Sequence, residues 1–311
     1  EVFESDEYFL LTLSRPQNAV VRKYLGGGVI INDEPLTYTA PADGNPNDLV
    51  LEFSAGSFLL RRNGVLLESG MASATPMTIV GAPAVTNNLT IRLDDGAALP
   101  VGGITFDGRG DDRLVIEQGG VADNVTYTAS GPGEGSIQLD GASISYRGVQ
   151  TIDDAVTAWN RIFSFAGNAG QNVVLSDDPD ESHHLSQLVS QEAGHDVTVS
   201  FYSPLSSLSL TAGSGNDSIA VEGLEPDFSA RLQIDAGAGN DALTVSGSLG
   251  LAVVELLGGA DQDSLTVDFA SRNPLAANTL KYHGGEGNDR LALTNVASQF
   301  STHTYEFDNA T

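Results

Sequence analysis

In the last third of the chain, apolar and polar residues alternate in short stretches, and each stretch follows a Gly-rich, acidic block. Apolar residues two positions apart lie on the same face of a β-strand. The recurring pairs are Ile219 and Val221, Leu243 and Val245, Leu265 and Val267, and Leu291 and Leu293. No amphipathic helix of normal length is evident, and only residues 155–165 allow a helical turn. The pattern therefore predicts an all-β fold made of short strands.

The acidic block has the form Gly-x-Gly-Asn-Asp and returns at a nearly constant distance. Its anchor residues in the last third of the chain are Asp217, Asp241, Asp263 and Asp289. Their spacings are 24, 22 and 26 residues; an earlier copy ends at Asp112, 24 residues after Asn88, and a fainter one spans residues 44–51. A unit of this length cannot bury its apolar face alone, so neighbouring units must stack. We therefore predict a right-handed parallel β-helix, or β-solenoid, with coils of about 22–26 residues.

Each residue type in the block has a mechanical role at a corner between strands. Glycine adopts positive φ, or lets stacked backbones approach where a Cβ would clash. Asparagine and aspartate tolerate the left-handed conformation, and their side chains accept hydrogen bonds from corner amides. The same oxygen atoms suit hard cations such as Ca²⁺. The asparagines that precede three of the anchors are Asn216, Asn240 and Asn288.

The spacing of these signals divides the chain into three regions. They are a strand-rich lead over residues 1–35, degenerate coils over residues 36–150, and regular coils within residues 151–311. The last region begins with an irregular insert over about residues 151–200, which contains an acidic loop at residues 176–184. His183 and His184 lie in that loop, but neighbouring residues of an extended chain point to opposite sides. A solvated loop is therefore favoured over a metal site.

Composition narrows the classes of function. The chain of 311 residues has 14 Lys and Arg against 41 Asp and Glu, which gives a net charge of -27. A nucleic-acid binder needs a basic surface, so that class is excluded. The lack of cysteine excludes a disulfide framework and a thiolate metal site. No apolar stretch reaches the length of about 18 residues that a membrane span needs, so we expect no span in this piece.

The Gly-x-Gly-Asn-Asp block resembles the nonapeptide of repeats-in-toxin proteins, which bind Ca²⁺ in the turns of a parallel β-roll. The resemblance implies calcium ligands at the anchors and their neighbours, which are Asp112, Asp217, Asp241, Asp263, Asp289, Asn216, Asn240 and Asn288. The match is closest at Asp217, Asp241 and Asp289. Repeats of that family run in tandem at nine residues, whereas each block here stands alone, so a calcium cage would need the block of the next coil.

The lead segment resembles the C-terminal half of a Calx-β domain. Residues 3–19 match that family's acidic turn, long strand and Ser-x-Pro corner, and residues 28–34 match its closing strand. Members of the family are immunoglobulin-like β-sandwiches, and the resemblance implies calcium ligands that include Glu4 and Asp33. A half sandwich leaves strand edges unpaired. We therefore expect this segment to cap the coils or to pair with another copy or module of the same long protein.

Together the resemblances imply a piece of a long, repeat-built bacterial protein that is extracellular or on the cell surface. We expect a structural or adhesive role in a matrix, sheath, filament or surface layer, with calcium as a stabilising cofactor. The alternative is a β-helix protein that binds or degrades extracellular polysaccharide. An enzyme is not expected, because carboxylates at regular corners differ from the paired carboxylates of a glycosidase groove. Trp159 is expected to be a packing residue rather than a platform for a sugar.

Overall fold

The structure is a computed structural model in which most of the chain is described. The described residues are 7–12, 25–30, 35–71, 76–94, 97–165, 167, 169–179, 185–192, 195–271, 273–275 and 280–296. Within these ranges the regular elements are 22 β-strands, and no helix occurs among them. The all-β prediction is confirmed. The described part of the chain accordingly has no helix that could cross a membrane.

The strands follow one another with short connections. In chain order they are β1 (Glu7–Thr12), β2 (Leu25–Ile30), β3 (Leu36–Thr39), β4 (Asn47–Ser54), β5 (Ser57–Arg62), β6 (Val65–Met71), β7 (Met77–Val80), β8 (Asn87–Leu93), β9 (Ile104–Gly131), β10 (Glu134–Leu139), β11 (Ala142–Phe165), β12 (Asn172–Asp177), β13 (Leu185–Glu192), β14 (His195–Tyr202), β15 (Ser207–Thr211), β16 (Ser218–Val221), β17 (Arg231–Ala238), β18 (Ala242–Val245), β19 (Val254–Ala260), β20 (Ser264–Asp268), β21 (Leu280–Glu286) and β22 (Arg290–Thr294).

Parallel pairing connects strands that are distant in the sequence. In the N-terminal half, β3 pairs with β7 and β4 pairs with β8, and both ladders continue onto β9 and β11. In the C-terminal half, one ladder runs from β11 through β15, β17 and β19 to β21. The other runs from β12 through β16, β18 and β20 to β22. Strands β9 and β11 are long enough, at 28 and 24 residues, to belong to ladders in both halves.

The C-terminal ladders repeat at the spacing of the acidic blocks. Ser218 lies opposite Ala242, Ala242 opposite Ser264, and Ser264 opposite Arg290, which are offsets of 24, 22 and 26 residues. The apolar pairs share the inner face of these strands as predicted: those of β16, β18 and β20 are at most 2% exposed, and those of β22 are partly buried. Burying each such side chain stabilises the fold by about 1.5–3 kcal/mol.

Three antiparallel insertions lengthen the earlier repeats. They comprise β5 and β6 after β4, β10 between β9 and β11, and β13 and β14 after β12. Tight two-residue turns with positive φ at both positions close three of the connections, at Ala55-Gly56, Asn63-Gly64 and Asp140-Gly141. This geometry matches the right-handed twist of the flanking strands. An inserted pair separates parallel partners by 40 residues, as for Asn47 and Asn87, which is why the period is obscured there.

Residues 155–165 form the second half of β11 and not a helical turn, so that expectation is wrong. The strand buries every second residue on each side of Trp159. Two of the inward positions carry the charged residues Asp154 and Arg161, which interrupt the apolar alternation in the sequence. A strand whose inner face is partly ionic does not show the usual hydrophobic period.

Candidate functional site

Polar side chains stack in two columns at turns between ladders. The amide corner consists of Asn47, Asn87 and Asp112, which open β4, β8 and the middle part of β9. The carboxylate corner consists of Asp217, Asp241, Asp263 and Asp289, which directly precede β16, β18, β20 and β22. All five predicted anchor aspartates therefore lie at corners, four in one column and one in the other.

In the carboxylate corner, each aspartate holds the backbone of the preceding repeat. Asp241 Oδ1 accepts the amide of Asp217 at 2.7 Å, Asp263 Oδ1 accepts that of Asp241 at 2.9 Å, and Asp289 Oδ1 accepts that of Asp263 at 3.0 Å. Asp217 Oδ1 continues the column by accepting the amide of Gln171 at 2.5 Å. The side chains that sequence analysis assigned to corner amides thus bind them, across repeats rather than within one turn.

The neighbouring asparagines point the opposite way along the stack. Asn216 Oδ1 accepts the amide of Asn240 at 2.9 Å, and Asn240 Oδ1 accepts the amide of Gln262 at 3.1 Å. Asn288 is exposed at the equivalent position of the last described repeat. Adjacent side chains in each block therefore reach to both neighbours, which satisfies backbone donors that the turn would otherwise leave unpaired.

Glycines make room for this stacking. A Cβ on Gly258 or Gly284 would collide with Oδ2 of Asp263 or Asp289. A Cβ on Gly237 or Gly259 would collide with the carbonyl oxygen of the glycine in the preceding repeat, and both residues have positive φ. The glycines of the block are therefore required by close backbone contact and by backbone conformation together.

The second carboxylate oxygen is buried without a partner. Oδ2 of Asp241, Asp263 and Asp289 makes no hydrogen bond to any described residue. Burial raises the pKa of Asp241 from 3.8 to about 6, and the amide of Asp217 offsets only part of this effect. Burial likewise raises the pKa of Asp263. The column is consequently a stack of desolvated acids in which one oxygen of each is satisfied.

These oxygens do not form a calcium cage as they are arranged. Calcium needs six to eight oxygen ligands. Oδ1 of each anchor aspartate in the carboxylate corner already accepts an amide, as do Asn216 Oδ1 and Asn240 Oδ1. Oδ2 of Asp263 and Asp289 lies against a glycine. No group of three or more His, Asp or Glu side chains suited to a metal ion occurs within the described ranges. Calcium at the anchors stays a prediction that would require these corners to rearrange.

The amide corner has the same plan but a different chemistry. Asn87 Oδ1 accepts the side-chain amide of Asn47 at 2.8 Å, and Asn87 Nδ2 donates to Asp112 Oδ2 at 3.0 Å and to the carbonyl of Gly108 at 2.8 Å. Asp112 Oδ1 accepts the backbone amide of Asn87 at 2.7 Å. Arg62, from the inserted β5, donates to Asn47 Oδ1 at 2.5 Å and closes the column.

The spacing in the sequence predicts Asn88 as the anchor of the second repeat, which is one residue late. Asn88 lies opposite Arg113, so the residue equivalent to Asp112 is Asn87. Asn47 fills the same position in the fainter copy at residues 44–51. The signal was present, because two asparagines stand in sequence at residues 87 and 88, but only the register shows which one faces inward.

A fully buried ionic cluster lies where β9, β11 and the end of β14 meet. The Arg161 guanidinium donates to Asp154 Oδ2, to the Tyr127 hydroxyl at 3.3 Å and to the carbonyls of Val156 and Tyr202. The Tyr127 hydroxyl donates to the same Asp154 oxygen. Burial is the main cause that raises the pKa of Tyr127. The local pattern does not reveal this cluster, since Tyr127 lies 27 residues before Asp154 and the two charged residues interrupt the apolar alternation of β11.

A pair of acidic side chains lies at the end of β12. Asp177 is hydrogen-bonded to the buried Glu225, and burial followed by that bond raises the pKa of Asp177 to about 6. A directly bonded pair leaves no space for a sugar between its carboxyl groups, so it lacks the separation of a glycosidase pair.

The remaining predicted residues do not join these clusters. Glu4, Asp33, His183 and His184 lie outside the described residues. Trp159 is 49% exposed on β11, so it is less enclosed than the packing role that sequence analysis expected.

Comparison with protein-family models, with curated proteins and with solved structures gave no match to this chain.

Proposed function

We propose that residues 36–296 form a β-solenoid that serves as a stiff structural or adhesive module of a secreted or cell-surface protein. The observation that carries the proposal is the in-register parallel pairing of the C-terminal ladders at offsets of 24, 22 and 26 residues. Strands that repeat in this way stack about 4.8 Å apart and share one continuous core.

The mechanism of such a module is mechanical. Backbone hydrogen bonds of the ladders run along the stack, and the corner side chains add a second set of bonds in the same direction. A force along the stack would act on many of these hydrogen bonds. A flexible linker has no such bonds and extends easily under the same force. The net charge of -27 keeps the sides of the stack hydrated and mutually repulsive. Contact between copies would then be confined to the ends.

The partners consistent with this role are other copies or other modules of the same long protein. The lead strands β1 and β2 pair only with each other among the described residues. Their outer edges offer backbone donors and acceptors to a further strand. Strand pairing at this end is the proposed route of association.

The proposal is tested by removing one repeat in phase. Leu232 lies opposite Val254, so deleting residues 231–252 joins Ala230 to Val253 and keeps every remaining strand in register. We expect a cooperatively folded protein whose longest dimension, measured by small-angle X-ray scattering, is about 5 Å shorter. Deleting residues 231–241, half of that length, shifts the register and is expected to unfold the C-terminal half. Equal stability of the two deletions would rule out a stacked-coil module.

Calcium as a stabilising cofactor is tested separately. Chelator-treated protein would be melted with and without millimolar Ca²⁺, and binding to the folded form alone would add roughly 2.7 kcal/mol per site at a hundredfold excess over Kd. Replacing Asp241 and Asp263 by Ala should reduce any rise in Tm, while the pair Asp180 and Glu181 serves as the control. No rise in Tm would assign the corner oxygens to amides alone.

Polysaccharide binding is the second candidate, and the exposure of Trp159 favours it. Val121 and Leu205 are also about half exposed, and β9 and the segment before β15 bring them close to Trp159 in neighbouring repeats. An exposed aromatic beside apolar side chains offers a flat surface for the apolar face of a sugar ring. Binding to a panel of neutral polysaccharides that Trp159→Ala removes would support this function, and equal retention of both proteins would dismiss it.

A further inference from the structure

Exposed apolar side chains collect along one corner of the stack, where the ladder of β11, β15, β17 and β19 begins in each repeat. Five large apolar residues of this corner are between 49% and 63% exposed, namely Val121, Trp159, Leu205, Leu251 and Val253. They belong to β9, to β11 and to the connections that precede β15 and β19. Contiguous exposed apolar surface on a folded protein marks an interaction site.

Backbone pairing places these five residues, the apolar strip, in successive repeats. Val121 lies opposite Thr157, two residues before Trp159. The carbonyl of Trp159 accepts the amide of Ser206, which directly follows Leu205. The same ladder continues through β17 to β19, where the two remaining residues lie. At about 4.8 Å between neighbouring strands, the strip from β9 to β19 is about 19 Å long.

Polar side chains lie between the apolar ones. They are Asn160, Ser206, Ser207, Ser229 and Arg231. The Ser207 hydroxyl donates to Asn160 Oδ1 at 2.8 Å, and Arg231 forms an ion pair with Glu255 of the next repeat. None of the 41 acidic residues of the chain is among the apolar residues of the strip or these five polar residues. The corner therefore offers apolar contact and hydrogen bonds, with its one cation already paired.

The charge of the chain favours an uncharged occupant over a second copy. Two strips packed face to face would bring together two chains that each carry a net charge of -27. An uncharged ligand meets no such repulsion. A sugar ring has an apolar face that packs on an indole ring, and its hydroxyl groups pair with serine, asparagine and arginine side chains.

We propose that the apolar strip binds an extended, uncharged β-1,4-linked polysaccharide that lies along the stack, with one ring on Trp159 and further rings towards Val253. In such a chain each ring advances by nearly the distance between neighbouring strands, so successive rings meet successive repeats. The inference rests on the stacked module proposed above. It deepens the second candidate function, because the site extends from the patch around Trp159 to the whole corner.

The probes for the test are cellohexaose, cellobiose and maltohexaose, each titrated into the full chain by isothermal calorimetry. Cellohexaose is long enough to span the strip, whereas cellobiose covers about two repeats. Maltohexaose has the same six glucose rings on a coiled chain. We expect a Kd of about 0.1 mM for cellohexaose and at least about tenfold weaker binding of the other two. Equal affinity of cellohexaose and either of the others would overturn the proposal, and this comparison needs no variant.

Two variants locate the ligand along the strip. Leu251→Ser together with Val253→Ser removes the far end and should weaken cellohexaose about fivefold, while cellobiose binds as before. Trp159→Ala should weaken both sugars at least about tenfold. The matched control is Val65→Ser together with Leu66→Ser, a pair that is 65% and 48% exposed on β6, and it should bind like the unaltered chain.

The outcomes separate this inference from the functions proposed above. Binding that Trp159→Ala removes, but that depends neither on sugar length nor on Leu251 and Val253, would keep the second candidate and overturn the extended site. No binding of any probe would overturn both, and the stacked module would still be decided by the in-phase deletion. Self-association in sedimentation experiments that the serine pair at 251 and 253 abolishes would assign the strip to a second copy and overturn the proposal.

Discussion

The amide corner and the carboxylate corner solve the same structural problem with different side chains. In both, a side-chain oxygen accepts the backbone amide of the equivalent residue in the preceding repeat. In the amide corner, Asn87 also donates to Asp112 Oδ2, so both carboxylate oxygens are paired. In the carboxylate corner, Oδ2 of Asp241 and Asp263 has no partner among the described residues. Both columns hold buried carboxylates, but only those of the carboxylate corner leave an oxygen without a partner among the described residues.

The difference shows what an asparagine contributes that an aspartate cannot. Ionised aspartates accept hydrogen bonds but donate none, so in a column of aspartates the negative charges of neighbouring repeats lie close together away from water. One asparagine placed between two levels supplies a donor to the next carboxylate. We infer that a side-chain donor beside each buried carboxylate, and not the corner geometry, controls the stability of these stacks.

The largest effect on stability is expected when an asparagine of the amide corner is replaced by aspartate, as in the carboxylate corner. Asn87→Asp places a second carboxylate beside Asp112 and removes the donor to Asp112 Oδ2 and to the Gly108 carbonyl. We expect a loss of about 4 kcal/mol in the free energy of unfolding at pH 7, measured by denaturant titration. Asn88→Asp, on the partly exposed side of the same strand, is the control and should cost less than about 1 kcal/mol.

Close packing of the glycines is expected to have the next largest effect. Gly237→Ala puts a Cβ into the Gly213 carbonyl at a φ of 102°, and we expect a loss of about 3 kcal/mol. Gly56→Ala has a positive φ of 79° but open space around the new methyl group, so it should cost only about 1 kcal/mol. Similar losses for both substitutions in thermal melts would show that conformation, and not contact, is what the repeat requires.

The reverse exchange should stabilise the carboxylate corner. Asp241→Asn keeps the acceptor for the Asp217 amide and brings a donor towards Asp263 Oδ2, as Asn87 does for Asp112. We expect a gain of about 1 kcal/mol at pH 7. Asp227→Asn, an exposed residue, should change stability by less than about 0.5 kcal/mol. A loss of stability in Asp241→Asn would mean that the unpaired carboxylate oxygen does not destabilise the fold.

The same column predicts how stability depends on pH. Because the folded carboxyl of Asp241 has a pKa of about 6 against 3.8, the folded chain binds more protons than the unfolded chain between those values. The column's contribution to the unfolding free energy should therefore rise as pH falls from 7 to about 4, by about 1–2 kcal/mol. The rise should shrink in a variant that carries Asp241→Asn and Asp263→Asn together, and an unchanged profile would exclude these groups as its source.

The smallest effect concerns an imperfect copy of the block. Asp261 occupies the position of Gly239 and Gly287 and adopts a φ of 82°. Asp261→Gly should add about 0.5–1 kcal/mol to stability by removing this conformational cost. Asp261→Ala serves as the matched variant, because alanine tolerates this conformation less well than aspartate and should lower the Tm. Opposite signs for the two substitutions would confirm the explanation.

The regular repeats were open to prediction because their signals are local. In β18 and β20 the apolar pairs alternate with the small residues Ala, Ser or Thr over four positions, directly after a Gly-rich block. The strands, the inward face and the role of the anchors as amide acceptors follow from those residues alone. The offset of 22 to 26 residues then fixes which strands are neighbours.

The earlier region could not be predicted in the same way, because its determining contacts join distant residues. Asp154 and Arg161 occupy inward positions of β11, where a charged side chain is tolerated only when it is paired. Their partner Tyr127 lies 27 residues before Asp154. Inserted hairpins stretch the repeat to 40 residues between Asn47 and Asn87. A local sequence pattern predicts neither which buried charges pair nor how long an insertion is.

The opposite directions of the corner side chains predict the order in which the repeats fold while the chain is synthesised. The amide of Asn240 finds its acceptor, Asn216, in a repeat that has already left the ribosome, whereas the amide of Asp217 must wait for Asp241. The backbone amide of each new repeat can therefore bind the asparagine of the preceding repeat as soon as it is synthesised. Its second corner amide is bound only when the aspartate of the following repeat is present. Chains emerge N-terminus first, so we expect stepwise growth in one direction. In a chain that ends at residue 235, the Asp217 amide should exchange its proton freely, and protection there would refute this order.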